Sequence, residues 1–181
     1  MSIHSTLTAA EYAKKALSLV WDGTIPVNPA VIARSIYVYD KDQHGNQINV
    51  PIRVEGKNTA SLSGASGQAS LVVNGNDRYF LCEYNSEEIV YRTRFTIAHE
   101  LGHILLGHVN SEQRKWRDTN FTSGYDPAEA AANSFAAELI MPEVEVRKFI
   151  AISSSVDQLA ETFGVSTAAM TYRLKNLRLL A

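Results

Sequence analysis

The segment from Arg94 to His108, RFTIAHELGHILLGH, constrains this chain more than any other part of its sequence. It contains the pattern His-Glu-x-x-His, formed by His99, Glu100 and His103. On an α-helix, residues four positions apart lie one turn apart on the same face, so the two imidazoles can bind one metal ion. The carboxylate of Glu100 lies one position round from His99, where it can reach a water activated by the metal. The spacing therefore predicts a helix that carries two ligands and the base of a zinc hydrolase.

The residues around this pattern indicate that the helix is buried. Its other positions are mostly apolar and include Phe95, Ile97, Ala98, Leu101, Ile104, Leu105 and Leu106. Buried histidine and glutamate side chains need partners, and one metal ion would provide them. Gly102 costs about 1 kcal/mol in a helix interior, which indicates that another backbone or a substrate comes close there. The alternative for the bare pattern is an amphipathic helix that carries two histidines and no metal.

A zinc hydrolase needs a third protein ligand, and the next helical segment offers candidates. Asp126 is a favourable N-cap, Pro127 suits the first helical position, and Pro142 ends the segment. Glu129 and Glu138 lie about half a turn apart in angle, so only one of them can face the metal. The spacing favours Glu129 as that ligand. Asp126 and Glu129 also fit a capping box, in which Glu129 would stabilise the start of the helix instead.

These motifs together resemble the ImmA/IrrE family of metallo-endopeptidases. The resemblance covers roughly residues 9–142, with its motifs in the family's order. Its main carriers are RFTIAHELGH from Arg94, LLGH ending at His108, and E-x-x-x-N-x-F-A-A-x-L-x-M-P ending at Pro142. Further similar stretches are Ile25–Ala33, Ser63-Gly64 and Leu71–Asn74.

The resemblance implies that His99, His103 and Glu129 bind Zn²⁺ and that Glu100 is the catalytic base. It also implies that Asn133, four residues past the glutamate ligand, supports the site as in gluzincin-type peptidases. Members of this family cut helix-turn-helix repressors and thereby switch on mobile-element or stress-response genes. The implied function is a zinc-dependent endopeptidase whose partner is a helix-turn-helix transcriptional repressor or a similar regulatory protein.

The composition points to a cytoplasmic protein. A chain of 181 residues can form one domain with a sizeable core, alone or with a small appendage. Its net charge of −2 provides no general attraction to nucleic acid or to an anionic membrane. The single cysteine, Cys82, excludes an intramolecular disulfide and fits a reducing compartment. We find no signal-peptide pattern and no run of membrane-spanning length, so we expect a soluble chain without a membrane partner.

The predicted fold class is α+β, a zincin-like minimal metallopeptidase with a small antiparallel sheet packed on the HExxH helix. Strand patterns occur at Ile36–Tyr39, Ile48–Val54, Ala60–Ser63, Gln68–Asn74 and Tyr79–Cys82. Because short turns connect them, we expect antiparallel pairing. The segment Ser61–Ser70 is a candidate sheet edge that could pair with an extended substrate. Ser86 is predicted to cap the metal helix, with Glu87 and Glu88 in its first turn.

Several nearby residues have more than one interpretation. Cys82 is expected to be a small buried residue, although a deformylase would use a cysteine as its third zinc ligand. His108 lies about 140° from His103 on a continuous helix, so it is a poor ligand for the same zinc. The polar stretch Asn110–Tyr125 is either a lid over the site or a surface loop with anchoring aromatics. Tyr125 is a possible stabiliser of an oxyanion.

We predict a peptidase domain over residues 1–142 and a helical, helix-turn-helix-like extension over residues 143–181. Within the extension, Ala160, Gly164 and Met170 fall near the positions that a helix-turn-helix reserves for small, turn and apolar residues. Arg173, Lys175 and Arg178 are predicted to give the second helix of this motif a modest basic face. The extension could contact DNA or a repressor, making the chain a regulator with a structural or sensory zinc. The near-neutral charge favours the alternative, a helical hairpin that closes the peptidase core.

Overall fold

The computed structural model describes residues 7–41, 44–75, 77–110, 115–117, 126–152 and 155–180. These residues form an α+β fold, as the sequence predicts. The helices are α1 (Ala9–Val20), α2 (Pro29–Arg34), α3 (Val90–Leu105), α4 (Pro127–Ile140), α5 (Glu143–Ile150), α6 (Val156–Phe163) and α7 (Thr167–Asn176). The strands are β1 (Tyr37–Lys41), β2 (Gln47–Lys57), β3 (Gly67–Asn74), β4 (Asp77–Asn85) and β5 (Lys115–Arg117).

The two N-terminal helices begin where local signals place them. The Thr8 hydroxyl accepts a hydrogen bond from the backbone N–H of Glu11, and the Glu11 carboxylate accepts one from the backbone N–H of Thr8 at 2.6 Å. This reciprocal pair is a capping box. The side chain of Asn28 accepts hydrogen bonds from the first backbone N–H groups of α2, with Pro29 at the first helical position.

The sheet is mixed, with the strand order β1-β2-β4-β3-β5. Strands β3 and β4 form an antiparallel hairpin, and β4 lies parallel to β2, with Cys82 opposite Val54. The prediction of an antiparallel sheet is therefore wrong for this central pair. Its cause is that the hairpin docks on β2 through its second strand, which runs in the same direction as β2.

One strand prediction and the predicted sheet edge fail in the segment after β2, whereas the strand predicted at Gln68–Asn74 is confirmed as part of β3. The segment from Ala60 to Ser63 is a turn, in which Ser63 and Gly64 have φ angles of 54° and 84°. Residues Gln68 to Ser70 pair with β4 on one side and with β5 on the other. The segment 61–70 is therefore not an open sheet edge. The edge strand on this side of the sheet is the short strand β5, which lies next to β3.

Helix α3 lies at the centre of the fold, between the sheet and the other helices. It packs against β3 and β4 on one side and against α4 on another, and α1 covers α4. Helix α4 comes close to α3 at Gly102, because an added Cβ would lie 3.1 Å from Phe135 Cδ1 and 3.3 Å from Ala132 Cα. The predicted close approach at this glycine is therefore made by α4, through the Phe135 side chain and the Ala132 backbone.

Helix α3 begins later than the sequence predicts. Its N-cap is Ile89, whose side chain makes no capping hydrogen bond, whereas Ser86 donates its hydroxyl to Lys57 O at 3.0 Å. The Glu87 carboxylate accepts hydrogen bonds from the backbone N–H and the hydroxyl of Thr59. The predicted cap is wrong because these side chains close the loop after β2 instead.

The C-terminal helices join the same buried core as the rest of the chain. Leu159, Phe163, Met170 and Leu174 belong to that core. Helix α6 ends at Gly164, which adopts a left-handed φ of 62° and turns the chain towards α7. The predicted domain boundary after residue 142 stays a prediction. Among the described residues, no helix combines the length and apolarity that a membrane crossing requires.

Arginine side chains tie these C-terminal helices to the rest of the fold. Arg94 of α3 donates hydrogen bonds to Val27 O at 2.6 Å and to Gly164 O at 3.2 Å. Arg173 of α7 pairs with Glu138 of α4 and donates to Met141 O at 3.1 Å. Both arginines therefore satisfy backbone carbonyls at the ends of helices.

Candidate metal centre

Helix α3 presents two imidazoles on one buried face. His99 and His103 lie one turn apart, and their Nε2 atoms are 2.9 Å from each other. The side chain of His103 is fully buried and that of His99 is nearly so. The predicted burial of this helix is confirmed, since every residue from Thr96 to Ile104 is buried.

Helix α4 brings a carboxylate to the same point. Glu129 Oε2 lies 3.1 Å from His99 Nε2, and Glu129 Oε1 lies 3.3 Å from His103 Nε2. The start of α4 is capped by Asp126, whose carboxylate accepts hydrogen bonds from the backbone N–H groups of Ala128 and Glu129. The Asp126 cap is thus confirmed, and Glu129 directs its own carboxylate at the imidazoles.

The three side chains form a group that could hold a metal ion, with their donor atoms all within 4.8 Å of one another. Zinc bonds of 2.0–2.1 Å in a tetrahedral arrangement separate neighbouring donor atoms by about 3.3 Å. The observed separations of 2.9, 3.1 and 3.3 Å are close to that value. The donor set of His99, His103 and Glu129 therefore fits such an ion in size and chemistry.

The surroundings of His103 keep its imidazole neutral. Burial, and to a smaller extent the neighbouring His99, lower the pKa of His103 to about 3, while Glu129 acts in the opposite direction. Burial also lowers the pKa of His108. A neutral imidazole is the form that binds metal ions, so near neutral pH the protein needs no proton release from His103 to bind one.

Asn133 supports the first imidazole from α4. Its Oδ1 lies 3.0 Å from His99 Nδ1, the ring nitrogen that faces away from the donor group. With Nδ1 protonated and donating to this amide oxygen, the lone pair of His99 Nε2 points at the centre. The structure therefore brings Asn133 to the supporting position that the family resemblance implies.

His108 is a site residue that sequence reasoning missed. Its Nδ1 lies 2.9 Å from His103 Nδ1. His108 lies outside the donor group of His99, His103 and Glu129, as expected. The angle of about 140° behind that expectation does not apply, however, because α3 ends at Leu105 and Gly107 has a φ of 78°. Gly107 after a run of leucines is the sequence signal for such an ending.

Glu100 lies on the buried sheet side of α3. Its side chain is 1% exposed, and a Cβ added to Gly67 at the start of β3 would lie 3.0 Å from Glu100 Oε1. Glu100 is thus held between the helix that carries the two histidines and the first residue of β3. Its role as a base stays a prediction.

The other candidate ligands lie elsewhere. Glu138 is buried against Arg173 and accepts a hydrogen bond from the backbone N–H of Glu143 at 3.2 Å. Cys82 is buried, its thiol donates to Ile97 O at 3.8 Å, and burial raises the pKa of that thiol. Cys82 is thus a small buried residue, as expected. It lies outside the donor group, whereas a deformylase would use a cysteine as its third ligand.

Two remaining predictions concern the linking loop and the basic helix. Most of the stretch Asn110–Tyr125, including Tyr125, lies outside the described residues, so the lid stays a prediction. Arg173 does not belong to an exposed basic face, because its guanidinium is buried against Glu138. The exposed basic residues of this C-terminal end are Lys175 and Arg178. DNA contact stays an untested prediction. The basic surface that would make it is smaller than predicted, because it lacks Arg173.

Comparison with known families identifies a peptidase family. The model of a peptidase family, described as the IrrE N-terminal-like domain, matches residues 53–175, which is more than half of the 181-residue chain. The matched range contains His99, Glu100, His103 and Glu129, and it extends from β2 into α7. None of the curated proteins compared with the chain matches it.

Proposed function

The chain belongs to the IrrE N-terminal-like family of peptidases, and from this premise we propose that it is a zinc-dependent endopeptidase of zincin-like architecture. One observation carries the proposal. Two helices bring the imidazoles of His99 and His103 and the carboxylate of Glu129 to one point, at separations that suit tetrahedral coordination.

Zinc is the metal that best suits this donor set. Two imidazoles and one carboxylate are the protein ligands of catalytic zinc sites that leave one position open for water or substrate. When bound, the ion supplies Lewis acidity towards water and towards the carbonyl of the scissile peptide. Asn133 orients His99 by accepting a hydrogen bond from its Nδ1–H, so the ligand nitrogen is presented without rearrangement.

Glu100 is the residue that moves protons in this proposal. Its carboxylate accepts a proton from the attacking water and then delivers a proton to the amine nitrogen of the leaving group. Its burial between α3 and the start of β3 keeps the carboxylate in one place and excludes bulk water. A glutamine at this position would keep the shape and remove the base.

We further propose that the substrate is a helix-turn-helix transcriptional repressor or a similar regulatory protein in the cytoplasm. The support for this substrate is the family resemblance carried by the segments around His99 and Glu129. The support for the compartment is that the one cysteine, Cys82, is a buried free thiol, which suits a reducing environment.

The test uses the repressor encoded beside this gene. It is incubated with zinc-loaded wild-type protein and, separately, with the zinc-loaded Glu100→Gln variant, and the products are weighed by mass spectrometry. We expect one or a few cuts with wild type only, while both proteins hold the same amount of zinc. Equal cutting by both proteins would refute the role of Glu100, and no cutting by either would count against this repressor as the substrate.

A further inference from the structure

We propose that His108 is a positioning residue for the metal centre, acting as the hydrogen-bond acceptor that fixes the tautomer and ring orientation of His103. The inference rests on the proposed metal site at His99, His103 and Glu129 and deepens it. No sequence motif assigns this role, and on a continuous helix His108 would face away from the site.

The end of helix α3 is what brings His108 back to the site. Gly107 takes a left-handed φ of 78°, its N–H donates to Ile104 O at 3.2 Å, and the N–H of His108 donates to His103 O at 3.0 Å. These two bonds form a Schellman motif, in which the residue after the glycine folds back over the last helical turn. The backbone bond between His108 and His103 places their side chains next to each other.

The contact lies on the side of the His103 ring that faces away from the donor group. His103 Nε2 is directed at His99 and Glu129, while His103 Nδ1 lies 2.9 Å from His108 Nδ1. A neutral imidazole has one N–H, so a proton on His103 Nδ1 leaves the Nε2 lone pair for a metal ion. His108 accepts a hydrogen bond from this N–H through its own Nδ1 lone pair and carries its own ring proton on Nε2.

The centre thereby has one acceptor for each imidazole. Asn133 Oδ1 serves His99 Nδ1 from α4, and His108 Nδ1 serves His103 Nδ1 from the turn after α3. Metal-binding histidines almost always donate their second ring N–H to such an acceptor, and its loss typically weakens metal affinity 10–100-fold. His108 therefore serves His103 as Asn133 serves His99.

The test measures zinc affinity by competition with a chromogenic chelator. In His108→Phe the ring is kept and the acceptor is lost, so we expect the zinc dissociation constant to rise about 10–100-fold. In His108→Asn the amide Oδ1 occupies the same place along the side chain as histidine Nδ1, so we expect most of the affinity to return. His44→Phe, at an exposed histidine outside the centre, is the matched control and should bind zinc like wild type.

A spectroscopic measurement on the wild-type protein makes the test independent of the variants' folding. In the zinc-loaded protein, ¹⁵N NMR of the histidine rings should show a proton on His103 Nδ1 and none on His108 Nδ1. A proton on His108 Nδ1, wild-type affinity in His108→Phe, or equal losses in His108→Phe and His108→Asn would each overturn the inference. A wild-type protein that binds no zinc would instead refute the metal site itself, and the inference with it.

Discussion

Replacing Gly67 by alanine should damage both stability and catalysis, because this glycine leaves space for the side chains of α3. Its backbone φ is not in the left-handed region, so the cost of alanine is one of space alone. An added Cβ would lie 2.5 Å from Thr96 Cγ2, 2.9 Å from the backbone oxygen of Glu83 and 3.0 Å from Glu100 Oε1. All three distances are shorter than an ordinary van der Waals contact.

The size of the effect follows from which of these atoms can move. The Glu83 oxygen belongs to β4, which pairs with β3 from Gly67 to Asn74. Moving this backbone oxygen away from the new Cβ would therefore disturb the hydrogen bonds between the two strands. Inserting a methylene into a packed core typically costs 1–3 kcal/mol, and we expect about 2–3 kcal/mol here. The carboxylate of Glu100, the proposed base, must also move, and a displacement of about 1 Å in a catalytic group can slow turnover about 100-fold.

Urea unfolding of the metal-free protein measures the stability, and cleavage of the repressor measures the turnover. Thr96→Ser removes the closest methyl group, so the double variant Gly67→Ala/Thr96→Ser should lose less stability than the sum of the two single variants. Zinc content should be unchanged, because Gly67 and Thr96 lie outside the donor group. A Gly67→Ala variant with wild-type stability and turnover would refute this account of the space beside Glu100.

Three further predictions follow from other contacts. Glu138→Ala leaves the Arg173 guanidinium buried without its carboxylate, so it should lower the free energy of unfolding by about 3–5 kcal/mol in urea titrations; a loss below about 1 kcal/mol would contradict this. Because the pKa of His103 is lowered to about 3 in the folded protein, the unfolded chain binds a proton below pH 6.5 that the folded chain does not. The metal-free protein should therefore lose stability as pH falls from 6.5 to 5, by up to about 1.4 kcal/mol per pH unit for each such proton, before carboxylates begin to titrate; a flat profile in that window would oppose it. Gly107→Ala puts a Cβ on a left-handed residue, so it should cost about 1 kcal/mol in thermal unfolding and weaken zinc binding by shifting His108; unchanged values of both would count against the Schellman geometry.

Local signals in the sequence predict the centre of this fold well. Side-chain caps depend on residues three positions apart, so the helix starts at Thr8, Asn28 and Asp126 could be placed without knowing the rest of the molecule. The i, i+4 spacing of His99 and His103 likewise depends only on helix geometry, and the structure shows both on one buried face.

The features that the sequence did not predict depend on distant parts of the chain. The parallel pairing of β2 with β4 is decided by which strand of a hairpin docks, and the strand patterns are the same for either choice. Arg173 sits among basic residues in the sequence, but its partner Glu138 comes from another helix. Ser86 resembles a helix cap in the sequence, but its hydroxyl donates to the distant Lys57 O, a contact that only the fold brings about.

His108 is an intermediate case. The sequence contains a signal for the end of α3, but it does not show where that ending places the His108 side chain. A glycine after the leucines of α3 indicates that the helix ends there. Knowing that the ending brings His108 Nδ1 to 2.9 Å from His103 Nδ1 requires the three-dimensional course of the turn. The angle of about 140° on a continuous helix predicts only that His108 is a poor ligand for the same zinc, and it gives no indication of this contact with the second nitrogen of His103.

The central claim, that His99, His103 and Glu129 form one zinc site, is tested most directly by zinc content. Wild type, Glu129→Ala and Glu161→Ala are purified identically, loaded with zinc, dialysed and measured by native mass spectrometry. Glu161→Ala is the matched control, since it removes an exposed carboxylate of α6 that lies outside the donor group. We expect one zinc ion per chain in wild type and in Glu161→Ala, and a loss of zinc in Glu129→Ala. Tight zinc binding that persists in Glu129→Ala would contradict the claim.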